Sequence, residues 1–197
     1  MSRKNHNPRS PTKSGNNTLR IIGGKWRSRK LSFISAPNLR PTPDRVRETL
    51  FNWLQRSIAH ARCLDLFAGS GALGLEALSR GASEVVFIEK YRPAARQLEQ
   101  NLALLKASNS VINQDAKTYL LKESQAFDVI FLDPPFRQGL LPVMLELIIE
   151  NKLINNNALI YLEHEAEANY DWQDWQLETI KETKAGQVKS YLLKQKN

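Results

Sequence analysis

From residue 61 onward, short continuous apolar runs alternate with stretches whose apolar positions recur every three or four residues. Continuous apolar runs fit strands buried on both faces, and the longer period fits amphipathic helices. The expected strands are Cys63–Phe67, Glu84–Glu89, Ser110–Asn113, Phe127–Leu132 and Ala158–Glu163. The expected helices between them are Ala72–Arg80, Pro93–Leu105, Ala116–Lys122 and Leu140–Asn151. Pro93 suits a first helical turn, where its missing N–H costs nothing. Such alternation indicates a parallel sheet covered on both faces. Two further strand-like runs, Trp175–Ile180 and Val188–Leu193, have no helix between them and read as an antiparallel pair at the sheet edge. The expected fold class is therefore α/β: a doubly wound, mostly parallel seven-stranded sheet of the Rossmann-like kind, with an N-terminal β-hairpin and helix extension.

The first 60 residues follow another pattern. Residues 1–17 have no large apolar residue after Met1, so they cannot offset their ordering entropy and are expected to form a disordered basic arm. Leu19–Ile22 and Lys25–Leu31 read as two short strands around Gly23-Gly24. Arg40-Pro41-Thr42-Pro43 is expected to be extended. Asp44 is expected to cap a helix with Val46, Leu50, Trp53, Leu54 and Ile58 on one face. The organisation expected is thus an arm at 1–17, a hairpin-and-helix extension at 18–60 and a catalytic domain at 61–197.

Charge sharpens this division. Residues 1–47 hold twelve Lys/Arg against one acid, Asp44, whereas the rest holds sixteen against nineteen. A basic segment on a slightly acidic body is the footprint of phosphate-backbone binding, with a solubilising tail as the plainer alternative. Arg20, Lys25, Trp26, Arg27, Arg29, Lys30, Arg40, Arg45 and Arg47 are the candidates for nucleic-acid binding, RNA in the reading that follows. The single cysteine, Cys63, excludes an intramolecular disulfide framework and a Cys-rich zinc site; it reads as a small core residue. No metal is expected. No apolar run is long enough to cross a bilayer and no secretory signal is visible, so no membrane partner and a cytoplasmic location are expected.

The first expected strand of the domain runs into Asp65-Leu-Phe67-Ala-Gly69-Ser-Gly71-Ala-Leu-Gly74. A G-x-G-x-x-G spacing between strand and helix makes a ligand loop, because glycines permit the turn and let a ligand approach backbone N–H groups. The loop alone does not name the ligand. Asp65 would repel a pyrophosphate but suits S-adenosylmethionine, which carries an ammonium, a sulfonium and no phosphate; capping the loop is its plainer role. Glu89 ends the next strand, where a carboxylate can accept from both ribose hydroxyls; pairing with Lys90 or Arg92 is its plainer role. Asp115 is placed either to take an adenine amino group or to cap the helix at Ala116. The cofactor candidates are Asp65, Phe67, Gly69, Gly71, Glu89, Lys90, Asp115 and Ala116.

Asp133-Pro134-Pro135-Phe136 follows the apolar run Phe127–Leu132, at the carboxyl end of a strand, where crevices of open α/β sheets lie. An exocyclic amine on a base is a poor nucleophile because its lone pair is delocalised. Asp133 and a carbonyl held by the stiff Pro-Pro backbone can accept both amine hydrogens and aim that lone pair. Phe136 offers a flat face for a flipped-out base. Asp133, Pro134, Pro135 and Phe136 are therefore the catalytic candidates. The same chemistry would serve an adenine N6 or a protein glutamine. The glycine spacing alone would also serve an NAD-dependent reductase.

These stretches resemble the class I Rossmann-type methyltransferases, and Asp133–Phe136 looks like the [DN]-P-P-[FYW] motif of their amino-methylating branch. The closest resemblance is to the bacterial family that methylates guanine 966 of 16S ribosomal RNA at N2. It rests on Arg20–Arg27, Leu39–Leu54, Asp65–Arg80, Asp133–Arg137 and Ala185–Val188, and covers the chain from about residue 19. The resemblance implies S-adenosyl-L-methionine as cofactor, 16S rRNA in the small ribosomal subunit as partner, and a bacterial cytoplasmic enzyme. A monomer is expected.

Overall fold

The computed structural model describes residues 17–34 and 42–196. The expected basic arm, apart from its last residue Asn17, and the RNA candidate Arg40 lie outside the described residues. Five strands, β3 (Arg62–Asp65), β4 (Glu84–Ile88), β5 (Val111–Ile112), β6 (Phe127–Leu132) and β7 (Ile154–Glu165), pair in parallel. Two more, β8 (Leu177–Ala185) and β9 (Val188–Gln195), form a hairpin whose β9 runs antiparallel to β7. The order across the sheet is β5-β4-β3-β6-β7-β9-β8. The chain leaves β3 toward one edge through β4 and β5, then returns to the other side of β3 as β6. The switch point therefore lies between the carboxyl ends of β3 and β6.

Alternation along each strand divides the core in two. Cys63, Val85, Phe87, Val129, Phe131 and Tyr161 pack on one face with α1 (Asp44–Trp53), α2 (Ala72–Ser79) and α3 (Arg92–Leu104). Leu64, Val86, Ile88, Ile130, Leu132 and Leu162 pack on the other with α4 (Ala116–Leu120) and α5 (Leu140–Glu150). Successive strand side chains point to opposite faces, so a strand buried on both sides must be apolar throughout. That accounts for the uninterrupted runs of the sequence. Cys63 is fully buried in this core, and burial pushes its thiol far above the ordinary range.

Several boundaries differ from expectation. The strand expected at 158–163 extends to Ile154–Glu165, because β7 pairs along both sides. The run expected at 175–180 is instead a 3-10 turn, Trp172–Trp175, followed by β8. In the N-terminal hairpin the paired strands are β1 (Asn17–Arg20) and β2 (Lys30–Phe33), not 19–22 and 25–31. Gly24–Trp26 curls into a 3-10 turn because the backbone there lies against α2. The Trp26 N–H donates to Ser79 Oγ at 2.9 Å, and the Ser79 hydroxyl donates to the Gly23 carbonyl at 2.5 Å. Gly24 has φ +74°, and a Cβ there would lie 1.9 Å from the Ser79 carbonyl oxygen, so only glycine fits. Asp44 is not the cap of α1 but its first residue, after Pro43; its carboxylate pairs with Arg20 and Arg47 instead. The hairpin and α1 share a core with the sheet, through Leu19, Ile21, Leu31, Leu50, Phe51 and Leu54.

Candidate functional site

The carboxyl ends of β3, β4, β6 and β7 bring four carboxylates to one rim of the sheet: Asp65, Glu89, Asp133 and Glu163. Gly69 and Gly71, at φ +52° and +77°, turn the chain from β3 into α2 through conformations that favour glycine. Gly74 sits where a Cβ would meet the Phe87 ring at 2.2 Å, so α2 presses closely on β4. The loop geometry is that of a ligand cradle ahead of a helix.

Within it, the acids already have backbone partners. Asp65 Oδ2 accepts from the Gly74 N–H at 3.0 Å, which caps the first turn of α2 from outside. Its Oδ1 takes no hydrogen bond from the described residues. Burial pushes the Asp65 carboxyl up to about 7; the Gly74 hydrogen bond opposes the rise and the charge of Glu89 adds to it. Glu89 accepts from the Gly69 N–H at 2.7 Å and the Tyr91 N–H at 2.5 Å, holding the loop closed against β4. Asp115 caps α4 by accepting from the N–H groups of Lys117 and Thr118, and pairs with Lys90 at 3.1 Å. The Lys90 ammonium is the main cause holding the Asp115 carboxyl below the ordinary range. Of the two roles open for Asp115, the unliganded structure displays the cap. Phe67 is partly buried and Ala116 buried beside this loop.

Asp133 differs from these. It follows β6 directly, is half-buried, and takes no hydrogen bond from the described residues. Burial raises its carboxyl well above the ordinary range, and the charges of Glu163 and Asp65 push the same way. Pro134 is buried, while Pro135 and Phe136 are exposed at the rim. The loop is anchored beyond Phe136: the Arg137 N–H donates to Glu165 at 3.3 Å, and its guanidinium pairs with Glu167 at 3.4 Å.

Glu163 is a residue that sequence reasoning did not single out. It is buried, accepts from the Tyr161 hydroxyl at 2.6 Å, and is raised by burial against the effect of that hydrogen bond. The one signal available was its position at the end of an expected strand, the same place that drew attention to Asp133. Glu76 was missed as well. It is fully buried on α2 and accepts from the Ile22 and Gly23 N–H groups at 2.8 Å each. It also pairs with Arg80 at 2.7 Å and with Arg47 at 3.6 Å.

Arg47 must be corrected as an RNA contact. Its side chain is buried, donating to Thr42 O, Arg20 O and Asp44 and paired with Glu76, so it offers nothing to a phosphate. Arg20 is exposed but paired with Asp44 at 3.0 Å. Lys25, Arg27, Arg29, Lys30 and Arg45 are exposed, with Lys25 standing 4.4 Å over the half-buried Trp26 ring.

A rim of carboxylates with no cation among Asp65, Glu89, Asp133 and Glu163 repels phosphate and attracts positive charge. Among known proteins, the family described as "Conserved hypothetical protein 95" matches residues 19–194. The chain belongs to this family. The ribosomal RNA small subunit methyltransferase D of Escherichia coli K12 is 49% identical over 183 residues, 91% of each chain. The protein of the same name from Haemophilus influenzae is 48% identical over 159 residues, 78% of this chain and 82% of that one. A solved Escherichia coli methyltransferase superposes with a TM-score of 0.82 at 47% identity, covering 91% of this chain and 98% of the other.

Proposed function

We propose that the chain transfers a methyl group from S-adenosyl-L-methionine to the exocyclic N2 of a guanine in 16S ribosomal RNA, guanine 966, within assembled or nearly assembled small subunits. On this reading the enzyme is a cytoplasmic monomer. The cofactor supplies a methyl group made electrophilic by its sulfonium charge. The residues fit it: Asp65, with one carboxylate oxygen that takes no hydrogen bond from the described residues and a proton affinity raised by burial, gains from an incoming ammonium. Glu89 and the loop it holds, with Gly69 and Gly71, are the residues that would contact ribose and backbone.

One observation carries the reading: among the described residues, Asp133 is the rim carboxylate left without a hydrogen-bond partner. It sits between the cofactor loop and the exposed face of Phe136. An ionised Asp133 and the Pro134 carbonyl can take the two hydrogens of an amine, leaving its lone pair free to attack. Most of the catalysis then lies in positioning and exclusion of water. The exposed cations of the hairpin and the start of α1 serve as docking points for RNA phosphates.

Tritium transfer from labelled S-adenosylmethionine to unmodified small subunits, followed by nucleoside analysis, tests the assignment. N2-methylguanosine at one site is the expected product; N6-methyladenosine, or label in protein, would redirect it. Asp133→Ala should lower single-turnover transfer by roughly two orders of magnitude or more, the scale seen when a preorganised polar group at a reacting centre is removed. Cofactor affinity should stay near normal. A variant keeping more than half its rate would show that Asp133 does not hold the amine.

A further inference from the structure

The register of the sheet brings Asp133 a neighbour that the reading above does not use. Leu132 pairs with Leu162 in the parallel β6–β7 ladder, so the next residues, Asp133 and Glu163, stand level on adjacent strands. Two positions earlier Phe131 pairs with Tyr161, and both pack on the α1–α3 face. The strand period of two puts Asp133 and Glu163 on that same face. In the antiparallel β7–β9 ladder, Glu163 pairs with Ser190. The result is a row across three strands, Asp133–Glu163–Ser190, with the Tyr161 hydroxyl beneath it.

Each rear member of the row is buried: Tyr161 at 0%, Ser190 at 2% and Glu163 at 6% exposure. The Tyr161 hydroxyl donates to Glu163 Oε1 at 2.6 Å, and the Ser190 side chain lies near enough to the hydroxyl to act on it electrostatically. A buried carboxylate without a cation is costly, and replacing it by a neutral residue would relieve that cost. Yet the fold gives Glu163 no cation; it gives a tyrosine hydroxyl, which stabilises the ionised form. That hydrogen bond opposes, without cancelling, the rise that burial imposes on the Glu163 carboxyl beside Asp133. The other groups facing Asp133 are Asp65 from β3 and Tyr161 from β7, with Ser190 behind from β9; none is positive.

We propose that Glu163 is a positioning residue for methyl transfer, whose charge, favoured by the Tyr161 hydrogen bond, makes Asp133 a stronger acceptor for the proton leaving the target amine. The amine lone pair forms the new N–C bond while the electrons of the broken S–C bond stay on sulfur. The nitrogen, now positive, releases its proton to Asp133, which passes it to solvent at the open rim. A lone exposed aspartate would be a weak acceptor for that proton; a neighbouring negative charge strengthens it, because like charge disfavours ionisation. The inference rests on Asp133 holding the amine.

The test compares single-turnover methyl transfer across pH for wild type, Glu163→Gln and Asp133→Asn, with small subunits as substrate. Glutamine keeps the shape and can still accept from Tyr161. The expected result is an acid limb moved to lower pH in the glutamine variant and a plateau rate reduced severalfold. Cofactor affinity and the KM for subunits should be unchanged. A merely structural role would leave the pH limb in place. An unmoved limb with Asp133→Asn inactive overturns this inference alone, whereas an active Asp133→Asn overturns the reading of Asp133 and this inference with it. A measurement on the wild type needs no variant to fold: carboxyl carbon-13 titration by NMR should give shared, biphasic curves for Asp133 and Glu163. Independent single-step curves would sink the proposal.

Discussion

The protein treats Glu76, buried on helix α2, and the four carboxylates of the sheet rim in opposite ways. Glu76 is enclosed by two guanidiniums, Arg47 and Arg80, and by the N–H groups of Ile22 and Gly23. Its negative charge is fully answered from within, and the answer ties the N-terminal hairpin and α1 to the catalytic sheet. At the rim, Asp65, Glu89, Asp133 and Glu163 have backbone and hydroxyl partners or none, and no paired cation among the described residues. Neither arrangement is forced by burial alone. A buried carboxylate supplied with cations holds parts of the chain together; at the rim, burial raises the proton affinity of Asp65, Asp133 and Glu163, which leaves them suited to a positive ligand.

The sharpest way to break this contrast is to mutate one acid from each group. Glu76→Ala leaves Arg47, already with Nη1 lacking a hydrogen bond, buried without its partner. Removing one member of a buried pair typically costs about 3–5 kcal/mol. Denaturant unfolding should show a loss of that order, with the hairpin amides losing hydrogen-exchange protection first. Asp133→Asn should change stability little or raise it, while transfer collapses. If both variants lost stability equally, the distinction between fastening acids and waiting acids would fail.

A second, smaller effect follows from Asp65. Its carboxyl is raised to about 7 in the folded, unliganded protein, so between the ordinary carboxylate range and pH 7 the folded state holds a proton that the unfolded state has lost. By linkage, this group makes the unliganded protein less stable as pH climbs through that window, with no further change above it. The cationic cofactor favours the ionised form. Its affinity should therefore weaken as pH falls below 7, by up to about tenfold per pH unit while the proton is fully held. Calorimetry in buffers of different ionisation enthalpy should register proton release on binding near pH 6. An affinity flat across this range would mean that Asp65 does not meet the positive end of the ligand.

Much of this was legible in the chain. The five parallel strands showed because burial on both faces demands apolar runs, and the ligand loop showed because the turn into α2 requires Gly69 and Gly71 at positive φ. What stayed hidden was pairing at a distance. Arg47 reads as one more cation in a basic segment, and only the folded chain brings Glu76, 29 positions on, against it. Glu163 ends a strand as many acids do, and only the register sets it level with Asp133. For Asp65 and Asp115 the plainer capping role was readable and is the one the unliganded fold displays, whereas for Glu89 the contacts with the Gly69 and Tyr91 N–H groups were not.

The same distinction, applied to cations, yields the smallest and most specific expectation. Among the basic residues of the N-terminal region, Arg47 is consumed by Asp44 and Glu76, and Arg20 is paired with Asp44. Arg27, Arg29 and Lys30 are exposed and have no ion pair among the described residues. These three, with the exposed Lys25 and Arg45, are free to displace counterions from RNA. Each phosphate contact they make should contribute roughly 0.7–0.9 to the slope of log affinity against log salt. Replacing Arg27, Arg29 and Lys30 by alanine should therefore flatten the slope for small-subunit binding by about two. Affinity for S-adenosylmethionine should not change. Arg20→Ala should have a weaker effect, since exposed ion pairs are worth little and Arg20 can exchange Asp44 for a phosphate. Arg47→Ala should reduce folded protein without altering the slope of what remains. A slope unmoved by the triple replacement would show that the hairpin faces away from the RNA, and a slope reduced by Arg47→Ala would mean that the Glu76 junction opens when the subunit binds.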